Sequence, residues 1–232
     1  MINELKKELQ NLSSPEKAKQ TVRFFKTGKG QYGEGDRFIG VVVPDQRKVA
    51  NKFKDCPLSE VTKLLQSPIH EHRLTALFIL NLKYQKADNA TKDEIVDIYL
   101  KNINHINNWD LVDSSAPYFF GEYFYNKDRT LLYKLANKDH LWSQRIAIIA
   151  TFNFIKKQDY QDTLKLSEQL LRHPHDLIHK AVGWMLREIG NRNLETELAF
   201  LDKHTTQMPR TMLRYAIERF EETLRKKYLH KT

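Results

Sequence analysis

Apolar residues recur along this chain at the three- and four-residue spacing of a helix face. Val61, Leu64 and Leu65 keep it, and so do Leu74, Leu77 and Phe78. Helix starts are marked locally. Ser14-Pro15-Glu16 and Ser67-Pro68 each set a capping serine before a proline suited to the first helical position. Thr91 with Glu94 reads as a capping box. The pattern predicts an all-α chain of about a dozen helices joined by short polar turns. Phe38 to Val43 is the one β-like run, too short and isolated to build a sheet.

The helices repeat. HRLTALFIL from His72, QRIAIIATF from Gln144, HKAVGWML from His179 and LRYAIERF from Leu213 align as equivalent elements. Their starts are 72, 35 and 34 residues apart, and halving the first interval points to an element near Trp109. A period of about 35 with two helices per unit predicts an α-solenoid of HEAT-like repeats. Equivalent positions then line one curved face. Arg73, Arg145, Lys180 and Arg214 share one register, so a basic stripe along a concave groove is expected. The whole of 1–232 reads as a single domain.

Charge supports a polyanionic partner. The chain has 38 Lys and Arg against 29 Asp and Glu, a formal net charge of +9 and a pI near 9.4. Cys56 is the sole cysteine, which excludes a disulfide framework and a thiolate-held zinc or iron–sulfur centre. MINELKKELQ has no apolar core of a secretory leader, and no run approaches the ~18 apolar residues of a membrane span. A cytoplasmic protein is expected.

Two suggestive motifs lack their context. Gly28, Gly30 and Gly33 spell a dinucleotide fingerprint, but a helix precedes them and none opens on the third glycine. A flexible connector to the helix at Pro44 is expected instead, with Lys29, Arg37 and Arg47 available to phosphates. HPHDLIH brings His173, His175 and His179, the last two at a chelating spacing, yet no carboxylate–histidine set completes a metal site and the general base of an HExxH motif is absent. There is no G-x-S-x-G elbow and no Walker loop. Neither metal nor cofactor is expected.

NNWDLVDSSAP, residues 107–117, carries more. Asn107 or Asn108 is a good N-cap, so Trp109 should open a helical turn and share a face with Asp113. Pro117 cannot donate to the carbonyl of Asp113, so the helix must kink or restart beyond that acid. The plain alternative puts Trp109 in the core, Asp110 on the helix N-terminus and Asp113 in solvent. KAVGWMLREIG places Lys180, Trp184 and Arg187 on one face. Its Gly183 costs roughly 1 kcal/mol relative to Ala, which close approach of DNA or of a second helix would explain.

Together, YGEGDRFIGVVVPDQR, NNWDLVDSSAP, WSQRIAI and KAVGWMLREIG resemble, in order and spacing, the AlkD-like DNA alkylation repair glycosylases. The resemblance runs from about residue 20 to 220. It implies an α-solenoid that hydrolyses the N-glycosidic bond of cationic N3- and N7-alkylated purines in double-stranded DNA, gripping the backbone without extruding the base. A solenoid with a continuous groove can work as a monomer, and a monomer is expected. The resemblance also implies functional roles for Trp109, Asp113, Arg145 and Trp184. DLIH, before Lys180, lacks the aromatics of the family's best-known member, so no lesion contact is carried over there. Arg47, Arg73, Lys180, Arg187 and Arg214 are the expected DNA-binding cations. The chemistry of the residues agrees: a cationic purine leaves readily, so a carboxylate that stabilises an oxocarbenium-like sugar and positions water is the main requirement. The competing readings are a HEAT-like binder of distorted or branched DNA and a protein-binding scaffold.

Overall fold

The computed structural model describes residues 1–230, and among them the chain is helical with no strand. The β-like run contributes no more than an isolated bridge between Arg37 and Ile69. The chain divides into two compact units, Met1–Ser115 and Ala116–Thr232.

The first unit holds α1 (Ile2–Asn11), α2 (Pro15–Phe24), α3 (Val43–Lys52), α4 (Leu58–Leu65), α5 (His70–Tyr84), α6 (Asn89–Lys101) and α7 (Trp109–Asp113). Its centre is α5, against which α3 and α4 both pack. Leu74, Leu77, Phe78, Ile79 and Leu80 of α5 are buried together, so the middle of this helix is enclosed nearly all round, while its first turn buries His70, Glu71, His72 and Arg73. Ser14 caps α2 as its sequence suggests, accepting from the Lys17 N–H. Two other starts differ. Asp88, not Thr91, caps α6 and accepts from the Thr91 N–H. Helix α5 begins at His70 rather than after Ser67, because the Ser67 hydroxyl turns back to the Ile69 N–H and the His72 ring.

The glycine-rich segment is not the loose connector expected of it. Glu71, almost fully buried, accepts from the backbone N–H groups of Ile39, Gly40 and Val41. Gly40 has φ of +80°, and a Cβ there would lie 2.1 Å from the Ser14 carbonyl oxygen. The end of the segment is therefore fastened both to α5 and to the start of α2.

The second unit opens with a π-helical turn, Ala116–Phe120. It continues through α8 (Gly121–Tyr125), α9 (Thr130–Ala136), α10 (Leu141–Ala150), α11 (Phe152–Lys156), α12 (Gln161–Gln169), α13 (Asp176–Gly190), α14 (Leu194–His204), α15 (Arg210–Ala216) and α16 (Glu222–Leu229). The segments exceed a dozen because several are interrupted, as at Thr151 between α10 and α11. Every element aligned by the repeat starts in a helix: α5, α7, α10, α13 and α15. Helix α13 packs against both α10 and α15, which is the nearest-neighbour stacking a helical repeat requires. Gly183 serves that stacking, since a Cβ there would sit 2.4 Å from the Met212 carbonyl oxygen and 2.5 Å from the Tyr215 Cβ. Its place in α13 is explained by a second helix.

Candidate active site and nucleic-acid interface

In the first unit the site is built on α7, a five-residue helix too short to persist on its own. Asn108 caps it, its side-chain oxygen accepting from the Trp109 N–H, and it stops at Asp113 as the following proline demands. Both ends are fastened. At the start, Asp110 accepts from His70 Nε2 at 2.7 Å. At the end, the Asn81 amide of α5 donates to the Ser114 carbonyl at 2.8 Å, and Tyr99 of α6 shares a hydrogen bond with the Ser115 hydroxyl. Trp109 is half-buried, its indole stacked on Phe25 at 5.3 Å with Phe24 edge-on at 5.9 Å. Phe24 itself is 65% exposed. Asp113 is half-buried, and its charge contributes to raising the Tyr99 hydroxyl above the usual range, although burial of that phenol is the main cause.

Beneath Trp109 lies an ionic cluster that no local motif announces. The buried carboxylate of Asp36 receives Arg73 Nη2 at 2.6 Å, His70 Nδ1 at 3.1 Å, and the amides of Asn107 and Asn108, each at 3.1 Å. Burial alone would raise the Asp36 pKa. The bond to His70 and the charges of Arg73 and His70 outweigh it and lower the group to about 2. For His70, burial pulls the imidazole down, yet the adjacent Asp110 charge and the bonds to both carboxylates lift it to about 9. Phe25 and Phe38 lie 5.1 and 4.6 Å from the same ring. Two carboxylates flanking one ring favour the imidazolium, the form that can donate from both nitrogens.

Arg73 belongs to this cluster and departs from the expected surface stripe. It is 3% exposed, with Nη1 on the Ser67 carbonyl and Nη2 on Asp36. The register that suggested a groove-facing cation instead directs it to a buried counter-ion. Arg47 is exposed, its guanidinium 4.1 Å above the Phe78 ring.

The second unit holds the other expected residues. Arg145 of α10 also departs from the expected surface stripe: it is 4% exposed, and its Nη1 donates to the Leu177 carbonyl in the first turn of α13. Trp184 of α13 is half-buried, its Nε1 donating to Glu188 at 3.2 Å and its ring 5.9 Å from Phe152. Lys180 pairs with Asp176 at 2.7 Å, Arg187 pairs with Glu218, and Arg214 is exposed. The histidines of HPHDLIH have structural work. His175 caps α13 through the Leu177 N–H, His173 bonds Gln144, and His179 reaches the His173 carbonyl.

The family model for the DNA alkylation repair enzyme matches residues 5–220. The chain belongs to that family. A solved structure described as a predicted DNA alkylation repair enzyme from Enterococcus faecalis shares the fold, with a TM-score of 0.69 at 16% identity. That similarity covers 90% of this chain and 97% of the other. No curated protein sequence matches. No helix among the described residues is long and apolar enough to cross a membrane.

Proposed function

We propose that this member of the family is a monofunctional, AlkD-like DNA glycosylase. It releases cationic N3- and N7-alkylated purines from double-stranded DNA. The observation that carries the reading is the pairing of a half-buried indole and a carboxylate, one turn apart, on a short helix fastened at both ends.

In the reaction, the bond from C1′ to the purine nitrogen breaks and its electron pair neutralises the base cation. Water adds to C1′ and gives up a proton, leaving an abasic sugar. The Asp113 carboxylate stabilises the positive sugar and orients the water. The indoles of Trp109 and Trp184 offer π faces to developing positive charge. Arg145 is assigned to a flanking phosphate, a role in which the phosphate oxygen replaces the Leu177 carbonyl as acceptor. Arg47 and Arg214 are surface cations suited to the backbone. Lys180 and Arg187 join them by exchanging their present carboxylate partners for phosphate. Arg73 is omitted, because releasing it would strand the buried charge of Asp36. The reading takes 1–232 as one cytoplasmic, monomeric domain, with no metal or cofactor in the reaction.

Base release from a duplex containing one N7-methylguanine tests this. The wild type should free the base, and Asp113→Asn should be slower by about 10²-fold or more with little change in DNA affinity. Salt-sensitive binding without release by either protein would favour the DNA-structure binder.

A further inference from the structure

His70 has no assigned role, yet it joins the floor of the first unit to the helix bearing Trp109 and Asp113. Its Nδ1 meets Asp36 at 3.1 Å and its Nε2 meets Asp110 at 2.7 Å. Asp110 is the second residue of α7, so this bond fixes where the helix starts. The same carboxylate also accepts from the Leu111 N–H at 2.9 Å. Asp36 in turn takes the amides of Asn107 and Asn108, the two residues leading into α7. Phe25 lies against both His70 and Trp109, at 5.1 and 5.3 Å. The imidazole thus holds the backbone entry of α7 by charge and its indole through a shared aromatic neighbour.

We propose that His70 is a positioning residue for glycosidic hydrolysis: clasped between Asp36 and Asp110, it sets the Trp109 face and the Asp113 carboxylate in their working geometry. The proposal rests on the glycosylase reading for its reaction, but not for the placement of Trp109. Both bonds require that both ring nitrogens donate, which only the imidazolium can do. A neutral ring leaves one carboxylate without its donor. Asp36 from the glycine-rich segment and Asp110 from α7 favour the charged ring, and Arg73 from α5 opposes it. A cavity of about 380 Å³ beside the clasp has His70, Asp110, Glu71 and Lys17 among its lining residues. Glu71 is already committed to the backbone of residues 39–41.

The test compares wild type with His70→Gln, which can donate to one carboxylate but not bridge two. Single-turnover release of N7-methylguanine should fall by about 10²-fold in the variant, as a misplaced site would require, while DNA affinity stays within about threefold. Fluorine NMR of fluorotryptophan-labelled protein, with Trp109→Phe to assign the signal, reads placement directly. The Trp109 resonance of the wild type should titrate as pH rises through about 9, and that titration should vanish in His70→Gln. Full activity in a folded His70→Gln overturns the proposal. So does a Trp109 resonance that is flat through that pH range in the wild type, a result that needs no variant to fold. A wild type that releases no base overturns the glycosylase reading instead, and the resonance then decides the positioning claim alone.

Discussion

The neighbourhoods of α7 and α13 place their tryptophans by opposite means. Helix α7 is one turn long, so an ionic clasp does the placing: four donor groups converge on Asp36, and His70 passes the restraint to Asp110. Helix α13 has fifteen residues and relies on packing, with Gly183 admitting α15 to backbone contact. The buried carboxylates of the two regions show the same contrast. Asp36 is fully served and its pKa lies near 2. Glu197, facing Gly190 at the end of α13, has an unpartnered Oε1, and burial raises it to about 8 against the pull of Arg187. A short functional element demands a polar network that orients it. A long one tolerates a poorly solvated acid, because its position is set elsewhere.

Removing the centre of the network should have the largest effect on stability. Asp36→Ala strands the buried Arg73 and His70 charges and should cost about 3–5 kcal/mol in urea unfolding. The wild type should show the same dependence in its pH profile. The raised pKa of His70 gives stability present below its unfolded value and lost as pH rises through about 9. The lowered pKa of Asp36 gives stability that is lost as pH falls toward about 2. A profile flat at both limits would mean that the clasp does not bear on folding.

Breaking the packing of α13 should matter somewhat less. Gly183→Ala puts a Cβ against the Met212 carbonyl and should cost about 1–3 kcal/mol, outweighing the helix propensity that alanine adds. Thermal unfolding checks the sign, and a stabilised variant would show that α15 can give way. Glu197→Gln should act in the other direction. The carboxyl keeps its proton to about pH 8 when folded and loses it near pH 4.5 when unfolded, so its cost grows between those limits. Removing that titration should gain roughly 1–2 kcal/mol at neutral pH and nothing in acid. The smallest effect belongs to the surface. Arg214→Ala should leave unfolding unchanged and reduce the salt slope of DNA binding by about one unit.

What the sequence showed of this site was whatever its chemistry fixes locally. Asn108 as a cap, Trp109 as the helix start and the stop after Asp113 all follow from neighbouring residues and from Pro117. The repeat register found α5, α10, α13 and α15 because apolar spacing survives in a single sequence. It could not tell Arg73 from Arg214. Both occupy the same register, as does the buried Arg145, and the partners that take Arg73 and Arg145 inward, Asp36 and the Leu177 carbonyl, are distant in sequence. His70 was invisible for a similar reason, since its partners lie 34 and 40 residues away. The glycine-rich segment reads as flexible from composition, while Glu71 supplies the acceptor that fastens it. Gly183 is ambiguous from sequence, because the Met212 carbonyl and the Tyr215 side chain that require it come from another helix.

The most direct measurement is single-turnover release of N7-methylguanine from a duplex by the wild type and by Asp113→Asn. The wild type should release the base, and the variant should be slower by about 10²-fold or more at equal DNA affinity. Equal rates for the two proteins would contradict this, by removing Asp113 from the chemistry.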